Sequence, residues 1–535
     1  MRKTKTLNKI PYPAPDVTTK VIPAPTEGWD AISPLADMSP QRAPIMDNLV
    51  PRPGYIETRK GYITHVTSTL GSPIETLMVY EQPATVTMYA ADATGRLLNV
   101  TASATAANVV VATVFTTGQW EWINYTPAGA DTVLMFTNHI NGLYQVSGTV
   151  ISSVIITNLS IATSIANTSA FRNIAAVKRR IWFVIKQSTK AAFLATDAIA
   201  GPLAGFQDFG ALWTKGGYLV DIGNWTIDGG SGPDDYTVFI SNRGQLTVFQ
   251  GTDPTSSNWT LKGTFDVAPP IGNRCFYKFG SDLLIITQQG VLPISQVLPF
   301  DPAADRSAAI TLRIQNAMLT AATEYSANFG WELISYPPES LLFLNIPVVN
   351  DAGTKLPEQY VMNTIIGSWC RFTGWYANTF AFFNSRLYFG DTTGNVRWAY
   401  QGGLDGTESI DGTLQCAFNW YDTPGRLKRM TLIQPLLTLI NGALTPTLGV
   451  DVDFGNNAVP SPVSTGVPTS VWDQALWDVG FWMGIINTST WLSVNALGKA
   501  LAVRLELDYE TDTNEDPPAL RINAFNTIVE MGGMI

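Results

Sequence analysis

The sequence predicts an all-β protein: a β-propeller of six or seven blades with one inserted helix, an extended N-terminal arm and a C-terminal β-sandwich. Three observations carry that prediction. Hairpin signals, each a pair of β-branched or aromatic runs around a Gly- or Asn-bearing turn, recur through the middle of the chain. Their turns fall near residues 95, 142, 189, 244, 290, 353 and 394, roughly 40–60 residues apart, against about 40–50 for propeller blades. The 535 residues include 44 Gly and 33 Pro and are 45% hydrophobic but only 14% charged, which excludes a disordered chain and a coiled coil.

Residues 1–50 read as an extended arm. Arg2, Lys3, Lys5 and Lys9 make its start basic, and Pro11, Pro13, Pro15, Pro23 and Pro25 block helix and central strand alike. Such a segment is ordered only if something holds it. An arm laid across a neighbouring subunit is expected, with a disordered tail as the alternative. The basic start leads into prolines, not an apolar run, so it does not read as a signal peptide.

Residues 51–403 carry the propeller pattern. The clearest hairpin is Tyr236-Thr-Val-Phe-Ile-Ser241, turning at Asn242-Arg243-Gly244 into Gln245-Leu-Thr-Val-Phe-Gln250. Others run Asp282–Thr287 into Val291–Ser295, and Thr379–Phe383 into Arg386–Gly390 and Val396–Trp398. Ala303–Tyr325 reads as one helix between blades, because Ile310, Ile314, Ala317, Met318, Ala321 and Tyr325 share a helical face. The competing architecture for this region is an irregular pair of sandwiches.

Residues 404–535 read as the β-sandwich. Leu501, Val503, Leu505, Leu507 and Tyr509 alternate with Ala502, Arg504, Glu506, Asp508 and Glu510, giving one buried and one wet face. Trp472, Trp477, Trp482 and Trp491 crowd one stretch of it. Core packing is the ordinary use of Trp, and an interface or glycan-facing patch is the functional alternative.

Little in the sequence points to catalysis. Two histidines, His65 and His139, have no nucleophile elbow to answer them, and no Walker A, dinucleotide or HExxH motif occurs. Cys275, Cys370 and Cys416 are too few and too scattered for a disulfide scaffold or a thiolate metal site, and they suit a reducing cytoplasm. Asp234 and Asp235 stand next to each other in Asp228-Gly-Gly-Ser-Gly-Pro-Asp-Asp. Neighbours entering a strand point to opposite faces, so they do not form a glycosidase pair. The segment reads as a Gly-rich turn, a calcium loop being the weaker alternative. No catalytic residue, cofactor or metal is expected. The formal charge of −10 argues against a protein that wraps duplex DNA. No run of 18 apolar residues marks a membrane helix. So few charges predict an exterior partly covered by copies or partners.

Three stretches carry a resemblance. They are Met38–Gly61, with Asn48-Leu-Val-Pro51 ahead of Gly54, Arg59 and Gly61; Gly216–Tyr236, continuing to Gln250-Gly-Thr-Asp-Pro254; and Leu356–Trp375. Together they resemble the tail hub or nozzle proteins of short-tailed bacteriophages, also called tail tubular protein B. The resemblance implies a homo-hexameric ring below portal and adaptor, assembled in the host cytoplasm and carried on the virion. It implies tail fibre or spike proteins as partners, and double-stranded DNA passing through without sequence-specific binding. Six copies would carry about −60, an acidic lumen that repels the DNA backbone. The competing function is a receptor- or glycan-binding propeller, and a third is a propeller glycosidase or lyase.

Overall fold

A computed structural model describes residues 16–67, 71–104, 108–111, 115–162, 165–228, 233–297, 308–348, 357–440, 446–455, 485–488, 490–509 and 519–534. Seven blades built on antiparallel hairpins succeed one another between residues 62 and 399, six as separate small sheets and the sixth as part of a larger one. Their first strands are Ile74–Glu81, Glu121–Tyr125, Phe171–Val177, Leu219–Asp228, Phe276–Phe279, Glu332–Tyr336 and Ala377–Phe383. Each first strand neighbours the next, and the seventh returns to the first. This circuit is the inner wall of a seven-bladed propeller. The turns read from the sequence near residues 95, 142, 189, 244, 290 and 394 lie within these blades, and the one near 353 lies outside the described residues.

The ring closes with a strand from the other end of the chain. Tyr62–Val66 pairs antiparallel with Val396–Ala399 and supplies the outer strand of the seventh blade. The fifth blade has three strands, Phe276–Phe279, Asp282–Thr287 and Gly290–Pro293. Ile310 N donates to Val291 O at 3.0 Å, and Val291 N donates to Thr311 Oγ1 at 3.0 Å, so residues 310–311 cover its edge.

That edge contact corrects the predicted helix. Residues 298–307 lie outside the described residues, Leu312–Ile314 is a 3-10 turn, and the α-helix runs only Gln315–Tyr325. Ile310 and Thr311 are pinned to the strand instead of joining the helix. The apolar stripe itself holds: Ile314, Met318 and Ala321 are buried in the chain's own core.

The C-terminal strands form two facing sheets. One sheet holds Arg426–Ile440, Ala519–Met534, Ile485–Thr488 and Leu492–Gly498. The other holds Ile410–Gln415, Leu501–Tyr509 and Thr447–Val452. Met430, Ile433 and Phe525 of the first pack in one core with Leu448, Val503 and Leu505 of the second.

The N-terminal segment belongs to this sandwich, which corrects the boundaries drawn at residues 50 and 404. Asp16–Pro23 pairs along Ala524–Met531, and Leu49–Arg52 and Tyr55–Thr58 extend the same sheet. Within the described residues the arm therefore lies on its own chain, zipped to the C-terminal strand. Ile45–Asp47 joins the opposite sheet between Ile410–Gln415 and Ser368–Thr373 of the sixth blade, giving one ten-stranded sheet. Propeller and sandwich thus share a continuous sheet and a continuous core.

Candidate functional site

The first and third resemblance stretches meet in one buried interlock at this junction. Asp47 accepts both Nε and Nη2 of Arg371, each at 2.7 Å, a bidentate pair between adjacent strands of the shared sheet. The next residue, Asn48, is 2% exposed and has φ +57, the left-handed conformation that Asn tolerates better than most residues. That backbone turn lets its amide reach four groups. Its Oδ1 accepts from Arg59 Nε at 2.7 Å and Thr373 N at 2.9 Å, and its Nδ2 donates to Asp411 O at 2.7 Å and Thr373 Oγ1 at 2.9 Å.

Arg59 fills the centre. Its guanidinium lies 5.3 Å from the Phe372 ring centre and 5.2 Å from that of Trp375. It donates to both carboxylate oxygens of Asp405, at 2.9 and 2.6 Å, and to Thr373 O at 2.7 Å. Trp375 Nε1 donates to Asp405 Oδ1 at 3.1 Å. Gly61 closes the motif: a Cβ there would sit 1.9 Å from Leu404 O, so only glycine lets these two backbones pass.

A second polar cluster lies on the propeller axis. The inner wall carries Thr76, Glu121, Asn173, Asp221, Glu332 and Thr379, one from each of six inner strands, and Arg274 just before the remaining one, Phe276–Phe279 of the fifth blade. At Thr76, Asn173, Asp221 and Thr379 the strand register shifts, a bulge that re-aims the side chain. Arg274 Nε meets Glu121 Oε2 at 3.0 Å, its Nη1 meets Glu332 Oε2 at 2.9 Å, and its Nη2 donates to Trp120 O at 2.6 Å and Thr76 Oγ1 at 3.2 Å. Asn173 Nδ2 donates to Asp221 Oδ1 at 2.8 Å, and Cys275 Sγ to Asp221 Oδ2 at 3.7 Å.

Burial sets the charges here. It pushes the Asp221 carboxyl up to about 8, against the hydrogen bond from Ile222 N, with the Glu121 charge adding to the rise. Burial also raises Glu121 and Glu332, against the pull of Arg274. Burial opposes the Arg274 charge, but Glu121 and Glu332 outweigh it and hold the guanidinium protonated. The cluster ties the first, second and sixth blades to the fifth through Arg274. A cavity of about 400 Å³ opens on one side of it and one of about 450 Å³ on the other, and Glu121 and Arg274 line both.

The residues singled out from the sequence fall elsewhere. Arg2, Lys3, Lys5, Lys9, Pro11, Pro13 and Pro15 lie outside the described residues, as do Trp472, Trp477 and Trp482. Trp491 is described and is 39% exposed, so it is not a core tryptophan. Asp234 and Asp235 lie on Pro233–Ser241, paired with Ile227 and Thr226. His65 Nε2 is 3.0 Å from Val100 O in the wall of the propeller, while His139 lines the cavity above Arg274. All three cysteines are buried and free. Among the described residues no group of His, Cys, Asp and Glu is placed to hold a metal, and no helix is long and apolar enough to cross a membrane.

No family model matches the chain, and no curated protein matches it. Solved structures do. YCF48 from Cyanidioschyzon merolae is similar over 64% of this chain and 99% of its own, with 9% identity and a TM-score of 0.37. YCF48 bound to D1 peptide covers 65% of this chain and 96% of its own, with 10% identity and a TM-score of 0.35. BBS1N in complex with ARL6DN covers 46% and 75%, with 11% identity and a TM-score of 0.29. The seven-bladed propeller rests on the strand pairing and the closed circuit of inner strands, independently of these likenesses.

Proposed function

We propose that this protein is a structural component of a short-tailed phage tail, a hub or nozzle subunit that assembles as a hexamer. The observation that supports the reading is the interlock: the two most separated stretches of the resemblance, Met38–Gly61 and Leu356–Trp375, pack against each other as Asp47–Arg371, Asn48–Thr373 and Arg59–Trp375. Those residues serve rigidity, not chemistry. A wall subunit needs a fixed angle between its domains, and a shared sheet with a buried polar lock supplies one. On this reading the partners are an adaptor ring, fibre or spike proteins, and the passing genome, which an acidic lumen keeps from sticking. No turnover of bacterial surface polysaccharide is expected.

Mass measurement in solution together with particle imaging tests the proposal. Six-fold rings, formed alone or on an adaptor ring, are the expected result. A chain that stays monomeric in the presence of the adaptor ring refutes it. One observation favours a second reading, a glycan-binding propeller: the polar cavity at the mouth of the axis.

A further inference from the structure

The cavity above Arg274 contains a cation with no ion-pair partner at bonding distance among the described residues. Arg172, on the inner strand of the third blade, is partly buried in the cavity wall. Its Nη2 donates to Asn273 Oδ1 at 2.5 Å, and its guanidinium lies 5.7 Å from the Tyr218 ring centre. Its Nε is buried without an acceptor, and no carboxylate lies within salt-bridge distance of it among the described residues. Arg274, on the floor of the same cavity, shows the contrast, since it holds two carboxylates. The Arg172 charge is felt by Glu121, which Arg274 already holds, but the buried Arg172 Nε lacks an acceptor, and an incoming carboxylate is the group its fork of donors fits.

The rest of the wall narrows the ligand. Asn242 uses its Oδ1 on Tyr218 N, Gln119 its Nε2 on Glu75, and Asn328 its Nδ2 on Pro347 O. Each amide has its other end without a protein partner among the described residues: the Nδ2 of Asn242 and the oxygens of Gln119 and Asn328. One free donor pair and two free acceptors suit hydroxyl groups, which both give and take hydrogen bonds. The rings of Tyr218 and Phe329 complete the wall, and about 400 Å³ is room for a small ligand and not for a polymer.

We propose that this axial cavity binds an acidic monosaccharide unit, with its carboxylate on Arg172 and its hydroxyls on the three amides. The inference rests on the glycan-binding reading and gives that reading a site and a ligand class. It is independent of whether the chain forms a ring.

Ligand-observed NMR and calorimetry on the full chain test it, with D-glucuronate, D-glucose and inorganic phosphate as probes. Glucuronate is expected to bind at least tenfold more tightly than either of the others. R172Q should weaken glucuronate at least tenfold. H139E, at a turn on the cavity rim, should weaken it as well by adding a negative charge, and serves if R172Q does not fold. Phosphate binding as tight as glucuronate, or an unchanged affinity in the folded variants, overturns the proposal. Glucose binding as tight as glucuronate overturns the acidic class but leaves the glycan reading standing. Absence of binding to either sugar removes both.

Discussion

The Arg59 guanidinium is fully buried and sits 2.6 Å from the Asp405 carboxylate, tying the end of the N-terminal segment to the chain that leaves the seventh blade. Removing one partner strands the other charge in the core. Arg59→Ala or Asp405→Ala should therefore cost about 3–5 kcal/mol. Replacing both together by apolar residues of similar volume should cost much less than twice that. Chemical denaturation of the three variants checks the difference.

Asn48 carries four hydrogen bonds on one amide. Asn48→Ala leaves Thr373 N and Arg59 Nε without their acceptor, and it places alanine at a positive φ. A loss of about 3 kcal/mol is expected, with faster hydrogen exchange at Thr373 and along Ile410–Gln415.

The two glycines flanking the first motif should differ in kind. At Gly61 a Cβ collides with Leu404 O, backbone against backbone, so Gly61→Ala should cost on the order of 3 kcal/mol or more. At Gly54, φ is +87 but a Cβ would meet open space. Gly54→Ala should cost only about 1 kcal/mol, the price of left-handed backbone. Thermal melting ranks the two.

Stability should fall as pH rises from about 4 to about 8, because folded Asp221 keeps its proton up to about 8 while the unfolded side chain releases it near the ordinary value of 3.8. Over that window the folded state binds more protons than the unfolded one. Above it the contribution is flat. Asp221→Asn cannot ionise, so its urea midpoint should show a shallower decline between pH 5 and 8.

Much of the propeller was legible because hairpins are local. Tyr236–Gln250 shows its alternation and its Asn-Arg-Gly turn within fifteen residues, and the observed strands match it. The long helix failed at Ile310 and Thr311, where pairing with Val291 overrode helical periodicity. The pairing of Asp16–Pro23 was illegible for a related reason: Asp16 pairs with Met531, and nothing near Asp16 announces a partner so distant. The axial cluster was invisible because its members are separated by whole blades. Its one signal is a polar residue recurring within the first three positions of the inner strands, Thr76, Glu121, Asn173, Asp221, Glu332 and Thr379, which becomes readable only after the blades are counted.

Tyr62–Val66 completes a blade whose other strands are made more than three hundred residues later. During synthesis this strand waits, its backbone donors and acceptors unpaired, until Val396–Ala399 leaves the ribosome. Asp16–Pro23 waits longer still, for the final strand. Such exposed edges invite pairing with other nascent copies, and contacts this distant in the chain form slowly. Folding of this protein should therefore end, and not begin, with its N-terminal residues, and shortage of chaperone should be felt first as aggregation before release of the full-length chain.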